Sequence, residues 1–546
     1  MGSISGFAEF HGSDDSMQPS WQGPIESILY EVEEIREVLL NLEQPVFVVR
    51  HQGRIGITNQ GCLAASAKEG DGIDLLSSLA PLPASRFGSP EFISTYGLKS
   101  AYMAGAMANG IASVDMVAQL GRAGYLGSFG AAGMAPEKNE VLIQEIKEKI
   151  NGAPYAVNLI HNPNEPALER KMVELFLKNG VINVEASAFL DITPNVVLYR
   201  AAGLVRDRSG KIAYKNRLIA KLSRKEVAAK FMQPAPSDML DHLVAEGSLT
   251  VEQAELARRV PLADDITAEA DSGGHTDNRP MVALLPSMIA VRNEIQAKLG
   301  YDRLIRVGVG GGISTPHAAL GAFMMGADYI VTGSVNQACV EAGASEHTRK
   351  LLAQADMADV IMAPSADMFE MGVKVQVLKR GTMFPMRAQK LYEYYQRYNS
   401  LEEIPLVEAE KLQKQIFQRS FDEIWADTVQ FFMQRDPSQV EKANQNPKRK
   451  MALVFRWYLG LSSRWSNSGV KGREMDYQIW CGPSMGAFNE WVPGTYLELP
   501  ENRRVVDVAR HILTGCAYLY RIQNLALDGV RLSPQLAFYR PEKPLG

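Results

Sequence analysis

One histidine of this sequence is placed where it could take part in proton chemistry. His275 follows two glycines, which allow the backbone to approach a ligand closely. Because an imidazole titrates near neutral pH, His275 could donate a proton or hydrogen-bond an anionic ligand edge. The polar residues that follow it, Asp277, Asn278 and Arg279, could contact a substrate or could form the solvated start of a helix.

Two further polar residues interrupt apolar segments. Asn158 and Lys221 each stand within a run of apolar residues. A buried polar side chain without a partner costs about 1–3 kcal/mol, so each needs one. A ligand carbonyl or phosphate would supply it. For Lys221, an internal ion pair with Glu185 or Glu269 remains the alternative.

Two glycine turns indicate a phosphate site. Each follows a short β-branched segment and opens a helix, so its backbone N–H groups can point at one anion. A dinucleotide-binding turn would require glycine where Ile313 stands, and a purely structural tight turn is the other alternative. The residues concerned are Gly310, Gly311, Gly312 and Ile313 in the first turn and Thr332, Gly333 and Ser334 in the second.

Small residues recur at two earlier turns. They would let a flat ring lie against the backbone, with Met107 packed on its face, although each turn taken alone would equally suit close packing of a helix on a strand. The candidates are Ala104, Gly105, Ala106, Met107 and Asn109 in the first turn and Gly127 and Ser128 in the second.

These turns are expected to belong to one parallel barrel. Short apolar segments alternate with helical spacing between residues 99 and 334, which predicts the α/β class and a (β/α)8 TIM barrel with its site at the carboxyl ends of the strands. The predicted strands are Ala101–Ala106, Gly124–Phe129, Tyr155–Ile160, Val181–Ser187, Leu218–Leu222, Asp265–Ala270 and the segments that end at Gly310 and Thr332.

The remaining composition predicts four segments. Residues 1–22 are expected to be a disordered tail or a cloning remnant, and 23–98 a mixed lead-in with a helix over Ile25–Leu42. Residues 99–395 are expected to hold the barrel. Within it, 224–262 form a helical insertion that could be a lid on the upper rim or mere padding. Residues 396–546 are expected to form a mostly helical C-terminal domain.

Overall composition excludes several functions. A net charge of −5 gives no electrostatic case for nucleic acid. No apolar run is long enough for a membrane span, and the N-terminus lacks the apolar core of a secretory signal. The four cysteines have neither zinc-site nor disulfide-framework spacing, so no metal is predicted and a reducing cytoplasm is expected.

Longer motifs resemble a known family. The sequence is similar to the flavin-dependent barrels of nitronate monooxygenases and FMN-type enoyl-acyl-carrier-protein reductases. Within that group it resembles the PfaD family of trans-acting enoyl reductases of polyunsaturated fatty acid and polyketide synthases. The motifs that carry the PfaD resemblance are Ala104–Gly110, Glu185–Phe189, Ala268–Pro280 and Phe455–Trp465.

The resemblance implies bound FMN and NADPH as the hydride source. It implies hydride delivery to the β-carbon of an enoyl thioester held by an acyl carrier protein of a synthase. By analogy His275 would act near the flavin, Lys221 and Asn158 would bind the flavin ring edge, and the glycine turns would bind its phosphate. Asn109, Glu185, Ser187, Asp277, Asn278 and Arg279 are the candidate substrate contacts.

Two alternative functions stay open at this point. The chain could be a nitronate monooxygenase, or a non-catalytic subunit that only assembles synthase modules. A homodimer is expected. The basic run Lys448–Lys450 could dock an acidic carrier protein or could simply begin a solvated helix.

Overall fold

The computed structural model describes residues 8–10, 20–64, 73–163 and 165–545. Its centre is a closed barrel of eight parallel strands in sequential order, which confirms the predicted TIM barrel. Each strand is buried along most of its length, as expected for a parallel sheet covered on both faces. The strands are Tyr102–Ala104 (β1), Leu126–Phe129 (β2), Tyr155–Ile160 (β3), Asn183–Ser187 (β4), Arg217–Leu222 (β5), Asp265–Glu269 (β6), Arg306–Gly310 (β7) and Ile330–Thr332 (β8).

Seven helices follow the first seven strands in turn. Several begin where proline pre-sets the first helical residue or where a Ser or Thr side chain accepts a bond from the first-turn backbone, as Thr315 does from Ala318 N. The helices are Val114–Ala123 (α1), Pro136–Ile150 (α2), Pro166–Lys178 (α3), Pro194–Ala202 (α4), Lys225–Phe231 (α5), Met281–Leu299 (α6) and Pro316–Met324 (α7).

The eighth outer helix comes from the far C-terminal region. Val505–Leu527 (α8) packs against both α7 and α1, where the helix after β8 would be expected. Gly515 permits this approach, because a Cβ there would lie 2.5 Å from Pro316 Cγ. The sequence predicted that the barrel ends at residue 395 and that a separate C-terminal domain follows. In the structure, α8 from that C-terminal region is part of the barrel.

Residues 333–504, between β8 and α8, contain the helices Ser334–Gln337 and Glu346–Ala353 and then two larger additions. A hairpin of Val360–Pro364 and Lys374–Leu378 pairs with the short strand Gly274–His275. A helical bundle follows, and it shares an apolar core with Ala363, Val375 and Val377 of the hairpin. Its longer helices are Phe384–Arg397, Leu406–Leu412, Phe421–Arg435, Ser438–Gln445 and Pro447–Ser468, and Ser484–Trp491 follows them.

The N-terminal segment forms a five-stranded antiparallel sheet. The predicted helix over Ile25–Leu42 is shorter, covering Val32–Leu40, because Leu29 exchanges two backbone hydrogen bonds with Ile57 and is held extended. Most of the predicted tail lies outside the described residues, but Ala8–Phe10 pairs with a strand at Val530–Leu532. The strands of the sheet are Ser20–Gln22, Val46–His51, Arg54–Thr58, Cys62–Ala64 and Ile73–Leu79.

The insertion at 224–262 is helical, as predicted. After α5 it contains the helices Ser237–Ala245 and Val251–Ala257, which both pack against α4 on the outside of the barrel. None of its residues lines the cavity at the barrel mouth. This position favours the padding of the barrel over the lid considered from the sequence. No helix among the described residues is long and apolar enough to cross a membrane.

Candidate active site

A cavity of about 600 Å³ opens at the carboxyl ends of the barrel strands. That size lies within the usual range for a small-molecule site, about 300–1,000 Å³. Most of the predicted site residues lie on its wall: Gly105, Ala106, Met107, Asn109, Asn158, Ser187, Lys221, His275, Gly310, Gly311, Gly312, Ile313, Thr332, Gly333 and Ser334.

The two glycine turns face open space in this cavity. Gly311 and Gly312 have φ values of 89° and 80°, in the left-handed region that favours glycine. A Cβ at Gly312 or at Gly333 would meet no heavy atom within 4 Å. The turns therefore present a bare backbone surface to a ligand.

Lys221 is held by carboxylates inside the barrel mouth. Its Nζ lies 3.1 Å from Glu269 Oε1, so the internal ion pair considered from the sequence is present. Burial alone would lower the pKa of Lys221, but Glu269 and Glu185 outweigh burial and raise it. Burial raises the pKa of Glu269, against the charge of Lys221. Lys221 is thus a cation on the cavity wall.

Asn158 is fixed by its neighbours on β4. Its amide nitrogen donates to the Glu185 carbonyl oxygen at 3.0 Å and to the Ser187 hydroxyl. Glu185 is 1% exposed, and its Oε2 accepts the Ala106 N–H at 2.8 Å. Its other oxygen makes no hydrogen bond within the described part of the chain. Ala106, Asn158 and Glu185 therefore form one bonded unit behind the cavity.

His275 lies on the same cavity, paired with an acid that the sequence did not reveal. Its Nε2 is 3.2 Å from Asp367 Oδ1, and Ser365 Oγ donates to the same oxygen at 2.8 Å. Burial would lower the pKa of His275, but Asp367 outweighs burial and raises it. Burial would raise the pKa of Asp367, but His275 and Ser365 hold it below its usual range. The imidazole is therefore stabilised in its protonated form.

The hairpin places this acid beside the histidine. His275 pairs with Val375 across the three-stranded sheet, and Gly274 pairs with Gln376. Asp367 stands in the connection between the two hairpin strands and, like Ser365, lines the cavity. Because Asp367 lies far along the chain from His275, no local motif could have indicated the pair.

Some predicted residues lie off the wall. Ala104 and Ser128 are buried strand residues, and a Cβ at Gly127 would lie 2.9 Å from Val117 Cα, so that turn allows a helix to pack closely. Glu185 is not on the wall either; it is hydrogen-bonded to Ala106 and Asn158, and its charge acts on Lys221.

The polar stretch after His275 is held by the protein itself. Asp277 accepts hydrogen bonds from Ser223 and Arg224, and Asn278 donates to Asp271 and Gln376. Asp277, Asn278 and Arg279 do not line the cavity. Their packing favours a structural role over the predicted substrate contact.

The helical bundle completes the cavity, which the sequence did not indicate. Asn109 Nδ2 donates to Ser463 Oγ at 2.8 Å and joins the bundle to the barrel mouth. The wall on this side is mainly apolar. Its apolar residues include Met172 of α3 and Phe431, Phe432, Leu453 and Trp457 of the bundle.

The basic run is part of the packed structure. Lys448 Nζ donates to the carbonyl oxygens of Tyr395 and Tyr398, and Arg449 donates to Gln439. These residues lie in the first turn of Pro447–Ser468, whose following residues Met451–Phe455 are buried. This arrangement favours the helix-start interpretation over a free docking surface.

Two family models match the chain. The model described as fatty acid synthase subunit PfaD N-terminal domain matches residues 21–81. The model described as acyl-carrier-protein S-malonyltransferase, inserted helical domain, matches residues 398–477, which coincides with the helical bundle.

Curated relatives come from lipid and polyketide synthesis. The chain is 46% identical to a polyunsaturated fatty acid synthase subunit of Thraustochytrium sp., over 95% of this chain and 35% of that protein. It is 48% identical to polyketide biosynthesis protein PksE of Bacillus subtilis, over 82% of this chain and 58% of PksE. The chain thus spans only about a third to somewhat more than half of the length of these relatives.

A solved structure matches more completely. The enoyl reductase domain of MlnA, from the macrolactin biosynthesis cluster of Bacillus amyloliquefaciens, is 40% identical with a TM-score of 0.77, and the match covers 81% of this chain and 100% of that domain. Fold and site thus define an enoyl reductase-like oxidoreductase of the TIM-barrel class. Within that class the chain belongs to the PfaD family of polyunsaturated fatty acid and polyketide synthases, which confirms the resemblance seen in the sequence.

Proposed function

We propose that the protein is an FMN-dependent enoyl reductase that uses NADPH to reduce the α,β double bond of an enoyl thioester carried by an acyl carrier protein. The observation that carries the proposal is the His275–Asp367 pair on the same cavity as the two glycine turns. In this proposal the pair supplies a protonated imidazole, and the turns supply a backbone cradle for phosphate, at one barrel mouth.

The cavity residues fit a flavin phosphate and ring. The open space over Gly312 and Gly333 would hold the phosphate, as at helix starts in other barrels. Ser272 Oγ lies in the cavity wall, is buried and makes no hydrogen bond within the described part of the chain, so a ligand could engage it. Lys221 and Asn158 would hold the polar edge of the ring.

Bound FMN would supply hydride chemistry, passing to the β-carbon the hydride received from NADPH. The chain's own residues would position the thioester and provide a proton. His275, kept protonated by Asp367, would donate to the α-carbon or hold the water that does. Lys221, kept cationic by Glu269, would stabilise negative charge that develops at the ring edge.

The apolar wall suits the acyl part of the substrate. Phe431, Phe432, Leu453 and Trp457 come from the bundle and face the same cavity as His275. Burying apolar surface contributes about 25 cal/mol per Å² to binding, so an acyl chain would gain from this wall. The bundle would thereby contribute to substrate choice as well as to the shape of the cavity.

Three measurements test the proposed function. The purified protein should show flavin absorbance, and FMN should be released on denaturation. It should consume NADPH when given an enoyl thioester and should take up no oxygen on a nitronate. Flavin with nitronate-dependent oxygen uptake and no enoyl reduction would indicate a nitronate monooxygenase. A colourless protein that binds synthase modules would indicate an assembly subunit.

A further inference from the structure

Three arginines line the cavity on the wall made by the bundle, and Arg464 is the most exposed of them. They are Arg435, at the end of Phe421–Arg435, and Arg456 and Arg464, both on Pro447–Ser468. The chain as a whole is acidic, with a net charge of −5. The cavity lining also includes the carboxylates Glu165, Glu169 and Asp427, so the question for each arginine is whether a carboxylate pairs with it.

Two of the three are matched by carboxylates. Arg435 holds Glu165 with two parallel contacts, Nε–Oε1 at 2.5 Å and Nη2–Oε2 at 2.9 Å. Arg456 Nη1 lies 3.2 Å from Glu370 Oε1. These pairs tie the bundle to the barrel and to the hairpin, so their positive charge is already used within the protein.

Arg464 differs from these two arginines in the partner that it binds. Its Nη2 donates to the Gly133 carbonyl oxygen at 3.2 Å, and no carboxylate of the described residues lies within ion-pair distance of it. Desolvation and the nearby positive charge of Arg435 lower the pKa of Arg464. A guanidinium has five N–H donors, and a single hydrogen bond, from Nη2 to Gly133 O, engages those of Arg464 within the described part of the chain. Such a cation, held beside another cation, is suited to an external anion.

We propose that Arg464 forms a phosphate-ester subsite at the mouth of the cavity, for a ligand whose reactive end lies deeper, at His275. The inference rests on the proposed function. Its phosphate could come from the pantetheine arm that carries the thioester or from the ribose phosphate that distinguishes NADPH from NADH. The flavin phosphate is excluded as the occupant because it is assigned to the glycine turns.

Arg464→Gln tests the subsite, with Arg122→Gln as the matched control. Arg122 is exposed on α1, does not line the cavity and loses the same charge. If the pantetheine phosphate binds, Arg464→Gln should raise KM about tenfold for a phosphopantetheine enoyl thioester and leave KM for the same pantetheine thioester without phosphate unchanged. If NADPH binds there, the KM for NADPH should rise about tenfold while that for NADH stays the same.

A binding measurement separates this inference from the proposed function. Phosphopantetheine without an acyl group, and NADPH, can be titrated into the flavin-loaded protein by phosphorus NMR. The phosphorus chemical shift of the added ligand should change on binding. Loss of this change in Arg464→Gln but not in Arg122→Gln would support the subsite even if no enoyl thioester were reduced. Equal responses of both variants, or equal loss with and without the phosphate group, would overturn it.

Discussion

At the scale of single residues, the pairing of His275 with Asp367 gives a pH-dependent prediction. In Asp367→Asn the shape is kept and the charge is lost, so burial acts on His275 with only the opposing charges of Glu269 and Lys221 beside it, and the pKa of His275 should fall. If protonated His275 is the active form, the alkaline limb of the pH–rate profile should move to lower pH. His275→Ala should remove this limb and lower turnover at least about tenfold, roughly 1.4 kcal/mol, with flavin retained. Unchanged profiles in both variants would remove the pair from the mechanism.

The same pair predicts how stability depends on pH. The pKa of His275 is raised on folding, so its contribution is complete below its unfolded pKa of about 6.5 and is lost as pH rises through the higher folded value. The pKa of Asp367 is lowered, so its contribution is present above about 3.9 and is lost as pH falls through the lower folded value. The free energy of unfolding, measured in urea, should therefore be lowered most by Asp367→Asn between about pH 3.9 and pH 6.5, and lowered less at alkaline pH.

Gly312 offers a test of the phosphate position. Asp and Asn are the same size, and both tolerate the left-handed backbone at this position. A negative charge beside a phosphate should weaken FMN binding about tenfold or more in Gly312→Asp compared with Gly312→Asn. Flavin content after gel filtration measures the difference. Equal retention by the two variants would place the phosphate elsewhere.

At the scale of elements, the bundle helix Phe421–Arg435 predicts selectivity for acyl length. Phe431 lines the cavity yet is 42% exposed, so it can be truncated without opening the core. Phe431→Ala should raise KM about threefold to tenfold for long-chain enoyl thioesters and change it little for short ones. Met433→Ala is the matched control, because Met433 is exposed on the same helix and does not line the cavity. An identical effect on short and long substrates would argue against an acyl wall.

Local patterns predicted the barrel well because strand and turn signals lie within a few residues of each other. Tyr155–Ile160 was predicted with the observed bounds, since an apolar run there ends at a polar turn. The Ile25–Leu42 helix was predicted with bounds that are too wide, because the Leu29–Ile57 bridge is a tertiary contact that overrides helical spacing. Asp367 and the bundle wall were missed for the same reason, since only the folded hairpin and helices bring them to the barrel mouth.

At the scale of the whole molecule, one buried arginine connects helix α8 with the N-terminal segment. Arg521 on α8 is 0% exposed and donates to four carbonyl oxygens, those of Leu39, Asn41, Leu42 and Gln44, at 2.6–3.2 Å. Arg521→Met would remove all four of these bonds, although Asn41 O and Leu42 O keep backbone donors in Gln44 N and Leu82 N, and should destabilise folding by about 3 kcal/mol. The midpoint of urea unfolding should fall accordingly. Arg50→Met, at an exposed position of the N-terminal sheet, should leave the midpoint unchanged, and a similar midpoint in both variants would contradict this role.

The distant origin of α8 also has a consequence for biosynthesis. A ribosome releases the seven preceding strand–helix units, the hairpin and the bundle before it releases residues 505–527, which cover the gap between α7 and α1. Until then the apolar faces of those two helices lack their partner, and a nascent chain in that state is prone to aggregate. Translation speed and chaperone supply while residues 333–527 are made should therefore influence the yield of native protein more than they do while the strands are made.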